Sequence, residues 1–152
     1  MVEIALFQPD IAPNTATIVR MAACLGLTVR IIEPAGFLWT DSAFRRAGMD
    51  YLELAKVVRH SHWQAFLDVT RPRRLVLMTT KGTEAYSSYS FRSDDIILMG
   101  RESAGVPDEV HAAAAARLRI PMLPDRRSMN VALACAMVTG EALRQTRGFP
   151  AT

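Results

Sequence analysis

Two hydrophobic patterns alternate along the chain. Short, mostly apolar runs predict strands: "VEIALFQ" (2–8), "TVRIIE" (28–33), "RLVLMTT" (74–80), which reads as clearly buried, and "DIILMG" (95–100). Between them apolar residues recur at helical spacing. In "NTATIVRMAACLG" (14–26), Ile18, Met21, Ala22 and Leu25 share one face, Asn14 suits the N-cap, and Gly26 suits the position past the end. "SHWQAFLDVT" (61–70) predicts a helix capped by Ser61 and ended by Pro72. "PDEVHAAAAARL" (107–118) predicts another, with Asp108 and Glu109 at the positive end of its dipole and Arg117 and Arg119 at the negative end. "LRIPM" (118–122) reads as a short strand, and "SMNVALACAMVTGEALRQTRG" (128–148) as a long closing helix from a Ser128 cap to Gly148. The remaining segments are less periodic. "DSAFRRAG" (41–48) predicts a short helix, "YLELAKVVRH" (51–60) fits strand or helix, and "KGTEAYSSYSF" (81–91) reads as polar loop.

This alternation predicts one α/β domain over residues 1–152, a mostly parallel sheet flanked by helices. Ligands of such sheets bind beyond the carboxyl ends of the strands. Three loops qualify: after Thr80, after Met99 and after Met122. Composition narrows the class. Half of the 152 residues are hydrophobic, which excludes a disordered chain. The formal charge is +3 and its basic side is almost all arginine, with lysine only at Lys56 and Lys81. Arginine pairs with phosphate bidentately, so a nucleic-acid partner is compatible. Cys24 and Cys135 lie in apolar helical contexts and are expected to be buried thiols. The N-terminus carries Glu3 and no basic lead, so no secretory signal is expected. No apolar run nears the roughly 20 residues that span a bilayer. A cytoplasmic protein without a membrane partner is the expectation.

The most informative stretch is "MGRESAGVPDEV" (99–110). Gly100 and Gly105 stand five apart, as in the phosphate-cradling G-x-x-x-x-G-K-[ST]. Val106 and Pro107 replace the Lys and Ser/Thr, and Glu102 adds a carboxylate that would repel a triphosphate. A ligand of cationic or zwitterionic character fits better, although an ordinary strand–helix turn would carry the same glycines. "PDRRSMN" (124–130) leads into the closing helix, whose first N–H groups face whatever precedes them; a plain cap with solvated arginines is the alternative. His60 and His62 lack a third ligand nearby and His111 lies on an alanine-rich helix, so no metal is expected. No G-x-S-x-G nucleophile elbow occurs. Arg20 is polar within an apolar helix and is either solvent-facing or an anion contact near the glycine loops.

Taken together, "NTATIVR" (14–20), "LMGRESAGVP" (98–107) and "IPMLPDRRSMN" (120–130), with "IIEPAGF" (31–37), "RRAGMDY" (45–51) and "LMTTKGT" (77–83), resemble the SPOUT class of RNA methyltransferases. Within it they look most like the small tRNA wobble 2′-O-methyltransferases, and the likeness runs from the first strand to the last helix. The resemblance implies a C-terminal trefoil knot in the sheet, with S-adenosylmethionine bound in a bent form inside it. It implies a donor pocket lined by Met78, Thr79, Gly100, Ile120, Met122, Ser128 and Met129. It implies a homodimer with the closing helix in the interface and Arg20 near the partner's pocket. The implied reaction is methyl transfer to the ribose 2′-hydroxyl of cytidine or uridine 34, with Arg20 and Glu102 as catalytic residues. A guanidinium holds its protons, so orienting the hydroxyl or an adjacent phosphate is easier for Arg20 than acting as a base. Glu102 is expected to balance positive charge or order its loop. Expected RNA contacts are Asn14, Lys81, Arg45, Arg46, Arg126, Arg127 and Asn130, with Arg127 foremost. The chain departs from the resemblance at Arg101 and Ala104, where Pro and Arg or Lys are common, and at Thr17 and Gly140. The alternatives are a related enzyme acting on another tRNA or rRNA ribose, and a non-catalytic module that binds RNA or the methyl donor.

Overall fold

A computed structural model describes residues 1–37, 42, 55–126 and 128–152. The predicted helix over 41–48 (Ser42 apart), the first part of 51–60, and the residues Arg45, Arg46 and Arg127 lie outside the described residues. Among those described, seven strands form one sheet: β1 (Glu3–Phe7), β2 (Thr28–Ile32), β3 (Lys56–His60), β4 (Leu75–Met78), β5 (Glu84–Ala85), β6 (Ile96–Met99) and β7 (Ala116–Arg119). Their order is β3-β2-β1-β6-β4-β7-β5 and every pairing is parallel. The expected α/β class holds. The ambiguous segment ends as a strand from Lys56, and the polar loop after Thr80 contains the two-residue β5 and a 3-10 turn at Tyr86–Ser88.

The strand sequences explain the layering. β4 and β6 read Leu-Val-Leu-Met and Ile-Ile-Leu-Met and are buried at every position, because helices cover both faces of the sheet. On one face Ile4, Leu6, Ile31, Met78, Ile97, Met99 and Leu118 pack with helix α1 (Ala12–Leu25) and the closing helix. On the other, Ala5, Phe7, Leu77, Ile96 and Leu98 pack with Trp63, Phe66 and Leu67 of α2 (Trp63–Thr70) and Val110 of α3 (Asp108–Ala113).

The helix ends depart from the sequence reading in consistent ways. α1 begins at Ala12 rather than after Asn14: Pro13 sits in its first turn, Ile11 is the cap residue, and Gly26 closes it in the left-handed conformation. The cap of α2 is His62, whose Nδ1 accepts from the Ala65 N–H at 3.1 Å, not Ser61. The closing helix α4 (Val131–Thr146) is capped by Asn130, not Ser128, and ends at a left-handed Arg147 before Gly148. α3 stops at Ala113 despite the alanines that follow. There the Ala115 N–H donates to Leu75 O at 2.8 Å and the chain joins β4 as β7, so sheet pairing overrides helix propensity. Arg117, now on a strand, still serves that helix end by donating from Nε to His111 O at 2.8 Å. The predicted strand 118–122 therefore starts and ends earlier, at Ala116–Arg119. Cys135 is buried, but Cys24 is exposed, against expectation.

Candidate functional site

Sheet register builds the site. Met78 pairs with Met99 across β4 and β6, and Met78 also pairs with Leu118 across β4 and β7. Three strand ends therefore finish level, and the segments leaving them lie side by side. The Thr79 N–H, one residue past β4, donates to Leu118 O at 2.8 Å and holds two of them together. Over these ends lies a cavity of about 550 Å³, walled by Leu77–Thr80, Met99–Val106, Ile120, Met122 and Ser128–Val131, with Ile11 and Asn14 from α1 and Ala134 from α4. Apolar side chains such as Leu77, Met78, Met99 and Ile120 line it beside a few polar residues, which suits a ligand that is mostly enclosed and held by a few polar groups.

The loop after β6 closes on itself. Arg101 and Gly105 exchange backbone hydrogen bonds at 3.0 and 2.9 Å, and the Arg101 Nε donates to Gly105 O at 3.0 Å. The guanidinium also lies 5.4 Å from the Phe7 ring centroid, a cation–π contact. Gly105 turns the chain at φ +62°, a left-handed conformation that side-chain-bearing residues rarely adopt. Glu102 at the tip accepts from the Asp10 N–H through Oε2 at 3.1 Å. Its other oxygen, Oε1, is buried and has no hydrogen-bond partner among the described residues. Burial, and then the hydrogen bond with the adjoining Asp10 carboxylate, pushes the Glu102 carboxyl above the usual range. Asp10 moves the opposite way, held down chiefly by that bond with Glu102.

Across the cavity Asn130 has two tasks. Its Oδ1 accepts from Ala132 N and Leu133 N at 2.8 and 3.3 Å, and its Nδ2 donates to Asn14 Oδ1 at 2.9 Å. The starts of α1 and α4 are thereby locked together at the rim, and the Asn14 amide is fixed in orientation.

Comparison with known proteins agrees with this geometry. Residues 1–140 match the model of the SpoU rRNA Methylase family. The chain belongs to the SpoU methylase family. A relative from Ancylobacter novellus, a tRNA (cytidine(34)-2′-O)-methyltransferase, is 54% identical over 151 residues, covering 98% of this chain and 96% of the relative. A solved structure described as "Structural insights into the 2-OH methylation of C/U34 on tRNA" superposes with TM-score 0.90 at 36% identity, covering 95% of each chain. An AdoMet-bound rRNA methyltransferase from Sinorhizobium meliloti superposes at TM-score 0.85 and 26% identity, over 94% of this chain and 56% of that one.

The residues that the resemblance singled out in this SpoU methylase separate into groups. Met78, Thr79, Gly100, Ile120, Met122, Ser128 and Met129 all line the cavity, as do Glu102, Asn14 and Asn130. Lys81 and Arg126 are exposed beside it and do not line it. Arg20 is exposed on α1 and is not among the lining residues of its own chain. Asp10 went unremarked in the sequence. Its signal was a carboxylate one loop past a strand end, and only the fold brings it to Glu102, 92 positions away. No group of three or more metal-ligating side chains occurs among the described residues.

Proposed function

We propose that this protein transfers a methyl group from S-adenosylmethionine to the ribose 2′-hydroxyl of the wobble nucleotide, cytidine or uridine 34, of tRNA. The observation that carries this is the cavity itself, framed by three level strand ends and lined by Glu102 of the glycine loop. A carboxylate residue in the wall and the lack of a lysine in the glycine loop disfavour a polyphosphate and suit a cationic or zwitterionic group. The volume suits a nucleoside-sized molecule.

When bound, the donor supplies a methyl group on a sulfonium sulfur. The chain's part is to hold it, align the incoming hydroxyl and exclude water. Backbone groups of the three loops and the Met78 and Met99 floor enclose it, and Glu102 sets a negative wall. Asn14, fixed by Asn130, offers its amide toward RNA, and Lys81 and Arg126 offer phosphate contacts beside the rim, with Arg45, Arg46 and Arg127 as further candidates. Arg20 orients the hydroxyl or its phosphate. We take Arg20 to act at a second copy's cavity, in a homodimer built on α4. Its support is an exposed apolar pair one helical turn apart on α4, Leu133 and Met137. A C-terminal trefoil knot would bring the same three loops together. We take the site of action to be the cytoplasm; no helix among the described residues is long and apolar enough to cross a membrane.

The test is incubation with labelled methyl donor and total tRNA from a strain lacking the gene, with nuclease mapping of the product. Label at nucleotide 34 is expected. Absence of label would sink the enzyme reading, and label elsewhere would sink the wobble assignment. Arg20→Ala should abolish transfer while calorimetry shows donor binding intact.

A further inference from the structure

Asp10 grips the cavity loop from outside the cavity. Its own N–H donates to Glu102 Oε2 at 3.1 Å, while its Oδ1 accepts from the Glu102 N–H at 3.2 Å. Its Oδ2 accepts from the Ser103 hydroxyl. One residue from the β1–α1 loop thus grips two consecutive residues of the loop after β6, by main chain and side chain together. The anchor is itself braced, because the preceding Pro9 is buried and its carbonyl accepts from the Gly36 N–H at 2.8 Å. Asp10 does not line the cavity. With Oε2 tied to Asp10, the Glu102 carboxyl can rotate little, and Oε1 is the oxygen left buried and unpaired.

The geometry points to Asp10 as a positioning residue: it holds Glu102 and Ser103, two residues of the cavity wall, in place and so sets the affinity for the methyl donor. Its reciprocal grip on Glu102 and Ser103 pre-organises the loop, so that the donor meets a fixed wall instead of ordering a mobile one. The inference rests on reading the cavity as the methyl-donor site. The Asp10 charge also holds the Glu102 proton on, which makes the pair responsive to acid.

Two measurements separate this inference from that reading. Backbone amide exchange on the ligand-free protein tests the grip alone. Asp10→Ala should speed exchange at Arg101, Glu102 and Gly105 by about tenfold or more, the loss of a charge-assisted bond. Unchanged exchange overturns the inference, whatever the ligand. Calorimetry with S-adenosylmethionine tests the consequence. Asp10→Ala and Glu102→Gln should each weaken binding by about tenfold. The double variant should bind within about twofold of Glu102→Gln, because Asp10 acts through Glu102. Additive losses would mean a merely structural role and overturn it. Asp10→Asn keeps the shape and removes the charge, and covers the case in which the alanine variant does not fold. It should shift the acid limb of the binding profile to lower pH, and an unmoved limb overturns the inference. A wild-type protein that binds no S-adenosylmethionine sinks the reading of the cavity, while amide exchange still judges the grip.

Discussion

Two glutamates at opposite edges of the sheet receive opposite treatment. Glu3 begins β1, at the amino ends of the strands, and both of its oxygens are paired. Oε2 accepts from Arg30 Nε at 2.6 Å, and Oε1 meets Arg73 Nη1 at 2.8 Å. Glu102 stands past the carboxyl end of β6, where one oxygen is tied to Asp10 and the other is left alone. Burial pushes both carboxyls up. At Glu3 the hydrogen bonds and charges of Arg30 and Arg73 outweigh it and hold the group below the usual range; at Glu102 the neighbour is another carboxylate and the group stays high. The lesson is that similar burial of one residue type leaves the group paired and low at one edge and part-paired and high at the other. What decides is whether the protein supplies the partner.

The largest effect expected from this contrast is on Glu3. Glu3→Ala removes the carboxylate partner of Arg30 and Arg73 and should cost about 2–3 kcal/mol in denaturant unfolding, with little change in donor affinity. Glu102→Gln removes a charge that the fold itself does not satisfy. It should leave stability unchanged or raise it by about 1 kcal/mol, while donor binding falls. A destabilised Glu102→Gln would erase the distinction between the edges. Acid titration of stability sharpens it further. Glu3 lies low in the folded state, so its contribution is present above the ordinary value of about 4.5 and is lost as pH falls through the folded value. Glu102 lies high, so its contribution is present below that ordinary value and is lost as pH rises through the folded one. The Glu3→Ala deficit should therefore shrink in acid, and the Glu102→Gln advantage should grow toward neutral pH. The smallest effect concerns His60, 3.2 Å from Arg30 through Nε2. Burial and then the Arg30 charge hold its imidazole below the usual 6.5, so neutral histidine belongs to the fold and stability should decline as pH drops below that value. His60→Gln should flatten that decline in melting curves between pH 7 and 5.

The contrast also marks what the chain made legible. β4 and β6 were readable because strands covered on both faces leave unbroken apolar runs, and β1 and β2 because theirs are broken only by Glu3, Thr28 and Arg30. The cavity was readable from the strand-end rule and the family motifs together, since Met78, Gly100 and Ile120 each follow or end a strand. Gly26 closes α1 as read, but most of the other helix ends were not legible. Ser61 and Ser128 are good caps in isolation, but His62 and Asn130 take those places once the incoming loops are fixed. The run Ala112–Ala116 favours a helix locally, and only the open edge of β4 explains why it ends. Asp10 was illegible for the same reason: nothing local in "PDIAPN" points to a carboxylate across the sheet. Arg101, a departure from the family pattern, closes its own loop through Gly105.

The level finish of β4, β6 and β7 has a practical consequence for redesign. The floor of the cavity, Met78 and Met99, is also part of the core between sheet and α1, so altering it to change ligand preference would disturb folding as well. The rim is different: Leu123 is 72% exposed, and Lys81 and Arg126 are exposed beside it. Substrate choice can be rewritten at this margin, in a library of rim variants, while the donor chamber beneath is kept intact.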